Sequence, residues 1–331
     1  MFLQSLALLA AALPFGAAAP SGLVTSDFTQ LYPSVRHEVR NVPLTPAQVH
    51  TRRDVPVLGR NEAELPDGSV AHILPFHKPG APVAPAVTDN FSALLYHGGA
   101  IQKAPKQVLV LWGFGRCTTY CTNDPDNTVP ILYNFLKGVG GSHYLNSTTQ
   151  YTSAAQGHIT NPRNTLISFL VDNNTAPAHP TQAQVVQQVK LAQTFLKLKN
   201  NKDINYVVAL GFRHDPPGFG PGGFCAFHSD FGTRTSFQPF TDEPYVTEAG
   251  DGCSANTVNG PRDGVSVVLG HEVGEAITDP GNPSSPAWFD ASGGENGDKC
   301  ANLGFNRNVQ LFTGVFPVQP LFSNAGRYCA F

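Results

Sequence analysis

Charged residues are scarce in this chain of 331 amino acids. Asp, Glu, Lys and Arg make up 14 % of it, whereas they form about 25 % of an average soluble domain. The 21 basic side chains nearly balance the 24 acidic ones and form no basic run, which argues against the positively charged face of a nucleic-acid-binding protein. Hydrophobic residues still make up 41 %, enough for a packed core, so the composition also argues against a wholly disordered chain.

Long hydrophobic runs are missing as well. The run at residues 3–13 is much shorter than the ~20 residues that cross a bilayer. A proline, a glycine and three alanines follow it by residue 19, which is the layout of a secretory signal peptide cleaved near Ala18 or Ala19. We therefore predict a signal peptide over residues 1–19 and a secreted, extracellular protein without a membrane span.

The six cysteines include no C-x-x-C spacing, and this absence argues against a zinc–cysteine site. In the oxidising environment of a secreted protein, six cysteines predict three disulfides, for which 15 pairings are conceivable. We expect neighbours along the chain to pair, because each pair then closes a modest loop: Cys117 with Cys121, Cys225 with Cys253, and Cys300 with Cys329. Three sequons fit a glycosylated surface: Asn90, Asn146 and Asn173.

Proline is frequent between residues 20 and 90, and clear periodic segments are few there. Arg52 and Arg53 form a dibasic pair in this stretch, which is either a processing site that releases a propeptide or an ordinary solvated pair. We therefore divide the chain into the signal peptide, a Pro-rich segment over residues 20–90 with a candidate propeptide ending near Arg53, and a single catalytic-like α/β domain over residues 91–331.

Strands and helices alternate in the first half of that domain. Three apolar runs are typical of buried strands, at residues 108–112, 166–171 and 204–212. One helix is predicted over residues 128–137 with Asn127 as its N-cap, and a longer one opens at the capping box of Thr181 and Gln184 and runs to about Lys199. This order predicts an α/β fold with a mixed, partly parallel sheet, flanking helices and disulfides.

A further helix is predicted over residues 264–278, capped by Asp263. It carries His271, Glu272 and Glu275. His271 and Glu275 lie on one face, and Glu272 lies about 100° round from His271, as the general base does in H-E-x-x-H zinc proteases. Burying these groups among valines is costly unless a cation compensates them. We therefore predict a zincin-like helix with His271 and Glu275 as ligands of Zn²⁺ or another divalent cation, and Glu272 as the catalytic base.

A third metal ligand is needed downstream to complete a three-ligand site with an open water position. Asp290, Glu295 and Asp298 are candidates, and Glu295 or Asp298 is preferred because a disulfide at Cys300 would hold their loop rigid. The alternative for the helix is a plain hydrogen-bonded pair of its histidine and glutamate. His228 is either a further ligand or substrate-binding group, or a histidine satisfied in the core.

Four blocks of sequence carry a family likeness: Y-H-G-G at residues 96–99, F-C-A-F-H at 224–228, G-H-E-V-G-E-A at 270–276 and E-N-G-D-K-C at 295–300. In this order they resemble the phosphate-induced, EXORDIUM-like family of secreted proteins, known from plants with relatives in fungi and bacteria. Asn296 departs from the aliphatic residue usual there. The resemblance implies an extracellular or cell-wall protein and supports the H-E-x-x-E site more than any named reaction.

The function predicted from these features is a secreted metal-dependent hydrolase, in the first place a zinc metallopeptidase acting on a peptide or protein. The phosphate-binding P-loop pattern is absent, and so is the G-x-S-x-G turn of serine hydrolases. The alternative is a non-enzymatic extracellular cell-wall or signalling protein in which the H-E-x-x-E site is structural.

Overall fold

The computed structural model describes residues 23–25, 62–64, 70–75, 92–301 and 303–331. The helices are α1 Val129–Val139, α2 His143–Asn146, α3 Gln182–Leu196 and α4 Asp263–Thr278. The strands β1 to β16 are, in chain order, Leu23–Thr25, Glu62–Glu64, Val70–Pro75, Leu95–Tyr96, Lys106–Trp112, Thr152–Ser153, Gly157–His158, Leu166–Asp172, Ile204–Leu210, Phe224–Thr233, Ser236–Glu243, Trp288–Phe289, Arg307–Leu311, Gly314–Val318, Leu321–Ser323 and Tyr328–Ala330.

Eight of the strands form one mixed sheet in the order β1-β8-β5-β9-β11-β10-β3-β2. The four central strands β8, β5, β9 and β11 run parallel, and antiparallel strands extend the sheet on both sides. The predicted partly parallel sheet is therefore confirmed. Every residue of the central strand β9 is buried, as expected where both faces of a parallel sheet are covered.

Helices cover both faces of this sheet. Side chains of β5 alternate between two hydrophobic clusters, because successive residues of a strand point to opposite faces. Leu109 and Leu111 belong to the cluster that includes α1 and α4. Val108 and Val110 belong to the other, which includes Val189 of α3. The molecule thus has three layers, and the flanking helices predicted from the sequence are confirmed.

Three predicted helix ends differ from the structure, and at one of them α1 runs on to Val139 instead of ending at residue 137. α1 begins one residue later than predicted, so Thr128 occupies the N-cap position, without a side-chain cap hydrogen bond. The carboxylate of Asp124 accepts a hydrogen bond from the backbone N–H of Thr128 at 2.8 Å. The prediction of Asn127 as the N-cap was wrong. α3 opens with the predicted capping box at Thr181, but it ends before residue 199 because Lys197 takes a left-handed conformation with φ of 55°.

α4 lies where it was predicted, to within one residue, and all of its residues are buried. Asp263, however, does not cap the helix. Its carboxylate accepts hydrogen bonds from the backbone N–H groups of Val258, Asn259 and Gly260, and so stabilises the preceding turn. A helix enclosed on every side is part of the core, so any charged side chain on it must find its compensation inside the protein.

The three disulfides are the predicted ones, Cys117–Cys121, Cys225–Cys253 and Cys300–Cys329. Two of the sequon asparagines, Asn146 and Asn173, are exposed. Among the described residues, no helix combines the length and the apolar character that a bilayer crossing requires.

Strands from the Pro-rich segment over residues 20–90 take part in the main sheet. β1 pairs with β8 at one edge, and β3 lies between β10 and β2 at the other. Residues 1–19, the dibasic pair Arg52 and Arg53, and the sequon at Asn90 lie outside the described residues. The division into domains therefore stays a prediction.

Candidate metal centre

The second half of α4 brings three predicted site residues into the interior. His271, Glu272 and Glu275 are each no more than 1 % exposed. His271 Nε2 lies 3.1 Å from Glu275 Oε2, as the spacing of four residues along a helix allows. Glu272 makes its contact with the sheet instead, where its Oε2 lies 3.1 Å from Nδ1 of His228 on β10.

The loop between β12 and β13 brings both acids that the sequence analysis preferred to this helix. Asp298 Oδ1 lies 3.6 Å from His271 Nε2, and the backbone N–H of Asp298 donates a hydrogen bond to Glu275 Oε1 at 2.9 Å. Glu295 Oε2 lies 3.5 Å from His228 Nε2. The two acids therefore contact different histidines, one from α4 and one from β10.

Close packing of this loop on α4 depends on a glycine. A Cβ atom at Gly297 would lie 2.8 Å from His271 Nδ1 and 2.9 Å from Glu275 Oε1, which is too short for a real contact. The disulfide of Cys300 with Cys329 follows three residues later and ties the loop to the C-terminal hairpin of β15 and β16. The predicted role of this disulfide in holding the acidic loop is consistent with this position.

Two histidines from neighbouring strands complete the cluster. His228 of β10 lies opposite His72 of β3 in the sheet register, and both are almost fully buried. His72 Nδ1 lies 2.9 Å from Glu295 Oε2. His72 was missed from the sequence because it belongs to the Pro-rich segment. The signal that could have found it is a single histidine inside the short apolar run of residues 70–75.

The possible ligand atoms converge in two overlapping groups, His228 with Glu275 and Glu295, and His271 with Glu272 and Glu275. Within each group they lie within 4.8 Å of one another. A tetrahedral site with bonds of about 2.0–2.2 Å separates its ligand atoms by roughly 3.3–3.6 Å, close to the 3.1–3.6 Å contacts described above. These nitrogen and oxygen donors therefore fit a divalent cation.

Acidic neighbours shift the pKa of the buried imidazoles upwards. Burial by itself lowers the pKa of His271, but Glu275 and Glu272 outweigh it and raise the pKa to about 10. For His72, burial is likewise outweighed by Glu295, and the pKa rises to about 9. Without a metal, protonated imidazoles supply the positive charge that balances the buried carboxylates. A bound metal cation would supply positive charge in their place.

The buried acids exceed the positive charge beside them. Burial raises the pKa of Asp298 to about 7. It also raises the pKa of three acids packed around the cluster, Asp242, Glu243 and Asp279. Lys299 is buried nearby, but its Nζ lies 2.6 Å from Asp290 Oδ2, so its charge already has a partner. The cluster therefore has the electrostatics of a cation site.

Comparison with known proteins identifies no relative. No family model matches the chain, and no curated protein or solved structure gives a significant match. The resemblance to EXORDIUM-like proteins accordingly stays a prediction from the sequence blocks.

Proposed function

We propose that the protein is a secreted metal-dependent hydrolase whose ion, Zn²⁺ in the first place, is held by His271, Glu275 and Asp298. The observation that carries this proposal is the approach of Glu275 Oε2 and Asp298 Oδ1 to within 3.1 and 3.6 Å of His271 Nε2. Asp298 is the better third ligand of the two acids considered, because Glu295 lies against His72 and His228 instead.

A divalent cation at these ligands would polarise a substrate carbonyl and make a bound water more acidic. Glu272 would serve as the base. Its Oε1 accepts no hydrogen bond from any described residue, so this oxygen is available to take a proton from water and return it to a leaving amine. His228 Nδ1, 3.1 Å from the other oxygen of Glu272, holds the carboxylate in place. A peptide or protein is the substrate class that this zincin-like arrangement favours.

Complete burial favours a second candidate function. None of His271, Glu275 and Asp298 is more than 1 % exposed, and a structural ion needs no path for substrate. In this case the protein is a non-enzymatic cell-wall or signalling protein, in line with its EXORDIUM-like sequence blocks, and the ion contributes to the free energy of folding.

Metal analysis of the secreted protein, combined with a peptide-library cleavage assay, separates the two functions. For the hydrolase we expect Glu272→Gln to keep its metal and lose cleavage by about 100-fold or more, while the matched change at the exposed Glu248, Glu248→Gln, has no effect. Protein without bound metal, or full cleavage by Glu272→Gln, would rule the hydrolase out. Chelation that lowers the melting temperature of a protein without any turnover would support the structural ion.

A further inference from the structure

His228 and Glu295 are not needed for the single ion proposed above, yet they are arranged as ligands. Nε2 of His228 lies 3.5 Å from Glu295 Oε2, whereas its Nδ1 is held by Glu272 at 3.1 Å, so Nε2 is the nitrogen free to bind an ion. One ligand atom from each of His228, Glu275 and Glu295 lies within 4.8 Å of the others. These three residues offer one imidazole and two carboxylates. That is the same donor set as His271 with Glu275 and Asp298, so the cluster contains two similar sets of ligands.

Glu275 is common to both sets. Its Oε2 lies 3.1 Å from His271 Nε2, and a ligand atom of Glu275 also lies within 4.8 Å of those of His228 and Glu295. A carboxylate has two oxygens with about four lone-pair sites, so a single glutamate can serve two ions at once. A carboxylate between two ligand sets suits a two-metal centre, in which the ions lie about 3.5–4 Å apart.

Unsatisfied oxygens give a second, independent observation. Glu272 Oε1 and Glu295 Oε1 accept no hydrogen bond from the part of the chain that the structure describes, although both residues are fully buried. A buried carboxylate oxygen without a partner is strongly unfavourable unless a cation lies beside it. The two oxygens belong to residues on opposite sides of His228, which they approach through their other oxygens.

Carboxylates also outnumber the imidazoles of the cluster. Five carboxylates are buried there: Glu272, Glu275, Asp279, Glu295 and Asp298. Three imidazoles face them, those of His72, His228 and His271. Lys299 is already paired with Asp290 at 2.6 Å. The cluster therefore offers enough carboxylate oxygens for two ions that share one of its acids.

We propose that the centre binds two divalent cations bridged by Glu275. The ligands of the first ion are His271, Glu275 and Asp298. Those of the second are His228, Glu275 and Glu295, and His72 holds Glu295 from the other side. Imidazole and carboxylate donors favour Zn²⁺, Mn²⁺, Fe²⁺ or Co²⁺. This inference rests on the proposed metal function and adds the number of ions and the residue that joins them.

Native mass spectrometry of metal-free protein titrated with Zn²⁺ alone tests the stoichiometry. We expect two ions per wild-type chain, one in Glu295→Gln and in His228→Ala, and two in the surface control Glu248→Gln, with near-UV circular dichroism to verify that each variant is folded. One ion in the wild type would overturn this inference and leave the proposed function standing. No ion would overturn both.

Electron paramagnetic resonance with Mn²⁺ alone tests the bridge. At two equivalents, ions that share Glu275 give a spin-coupled spectrum, which should revert to an uncoupled six-line signal in Glu295→Gln. Two uncoupled signals in the wild type would mean that the second ion binds elsewhere, and would overturn the bridged centre even though two ions bind.

Discussion

Helices α3 and α4 pack on opposite faces of one sheet, but different interactions hold them there. α3 is amphipathic: Val185, Val189 and Ala192 are buried against the sheet, whereas Gln187 and Lys190 are exposed. α4 has no exposed face, and its buried residues include a histidine and two glutamates of the candidate centre. Burial of apolar surface is enough to hold α3, whereas α4 also needs compensation for charges that it carries into the core.

Because of this difference, the stability of the α4 side of the molecule should depend on whether a bound cation compensates its buried charges. The contacts of α3 involve apolar side chains, a capping box and a buried hydrogen bond of Gln193 to Gln238, none of which depends on a ligand. The contacts of α4 with β10 and with the loop between β12 and β13 pass through carboxylates and imidazoles. The proposed ions would change the state of these groups, so the two helices should respond very differently to metal removal.

Metal removal should have the largest effect. An ion that binds only the folded protein stabilises it by about 4.1 kcal/mol when its free concentration is 1,000 times Kd, so two ions contribute roughly 8 kcal/mol. Hydrogen exchange measured with and without chelator should show lost protection in α4 and in the loop around Asp298, and little change in α3. Equal loss in both helices, or none in either, would contradict the conditional stability of the α4 side.

Breaking the buried ion pair of Lys299 and Asp290 should have the next largest effect. Lys299→Met leaves a buried carboxylate without its cation at 2.6 Å, and we expect a loss of about 3–5 kcal/mol in the free energy of unfolding. Urea unfolding in saturating Zn²⁺ measures it. Removing both charges, in Lys299→Met with Asp290→Asn, should recover part of the loss; a double variant as unstable as Lys299→Met would show that lost packing, and not the charge, is responsible.

The ion pair of Lys299 and Asp290 should also make the stability of the protein depend on pH. Burial raises the pKa of Asp290, but the hydrogen bond and charge of Lys299 outweigh it and hold the pKa below its ordinary value of 3.8. The stabilisation is therefore complete above that value and is lost as the pH falls through the lower, folded-state pKa. The difference in stability between wild type and Lys299→Met should shrink only in this acid range.

Gly297→Ala should have an intermediate effect, confined to the metal side. Its Cβ would press on His271 Nδ1 at 2.8 Å, so we expect roughly 10–100-fold weaker Zn²⁺ binding and a loss of about 1–3 kcal/mol in stability. The matched control is Gly274→Ala on α4, whose Cβ would press at 2.7 Å on the buried apolar side chain of Leu321 and not on a proposed ligand. Competition with a zinc indicator measures the Zn²⁺ affinity of the two variants. Equally weakened Zn²⁺ binding in both would mean that any methyl group added near the site disturbs it.

Much of the fold could be predicted because it depends on residues close together in the chain. The capping box at Thr181 and the buried run of β5 are local patterns, and neighbouring cysteines close modest loops. Even here a local rule was wrong: Thr128, and not Asn127, is the N-cap of α1, and the carboxylate of Asp124 accepts a hydrogen bond from the backbone N–H of Thr128. The mixed character of the sheet was predicted only in outline, since β1, β2 and β3 lie in the Pro-rich segment and none of the three predicted strands corresponds to β10.

The candidate site was predictable only in part, for the same physical reason. His271 and Glu275 share a helix face by spacing alone, and the acidic loop is marked by the cysteine that follows it. His72 could not be placed, because pairing of β3 with β10 joins residues far apart in the chain. The register of two such strands depends on which of their side chains are buried, and burial in turn depends on the packing of the whole core.

The smallest expected effect is on the α3 side and tests whether the two sides are independent. Thr181→Ala removes a capping box that satisfies backbone N–H groups at the start of α3, and we expect a loss of about 1 kcal/mol in urea unfolding. The control Thr194→Ala changes an exposed threonine in the same helix, where alanine favours the helix, and should cost nothing. Zn²⁺ affinity should stay unchanged in both variants, because the sheet separates α3 from the proposed metal ligands. If Thr181→Ala weakened Zn²⁺ binding as much as Gly297→Ala does, the stability of α3 and the geometry of the centre would be coupled through the sheet. The two sides of the molecule would then not differ in their dependence on metal.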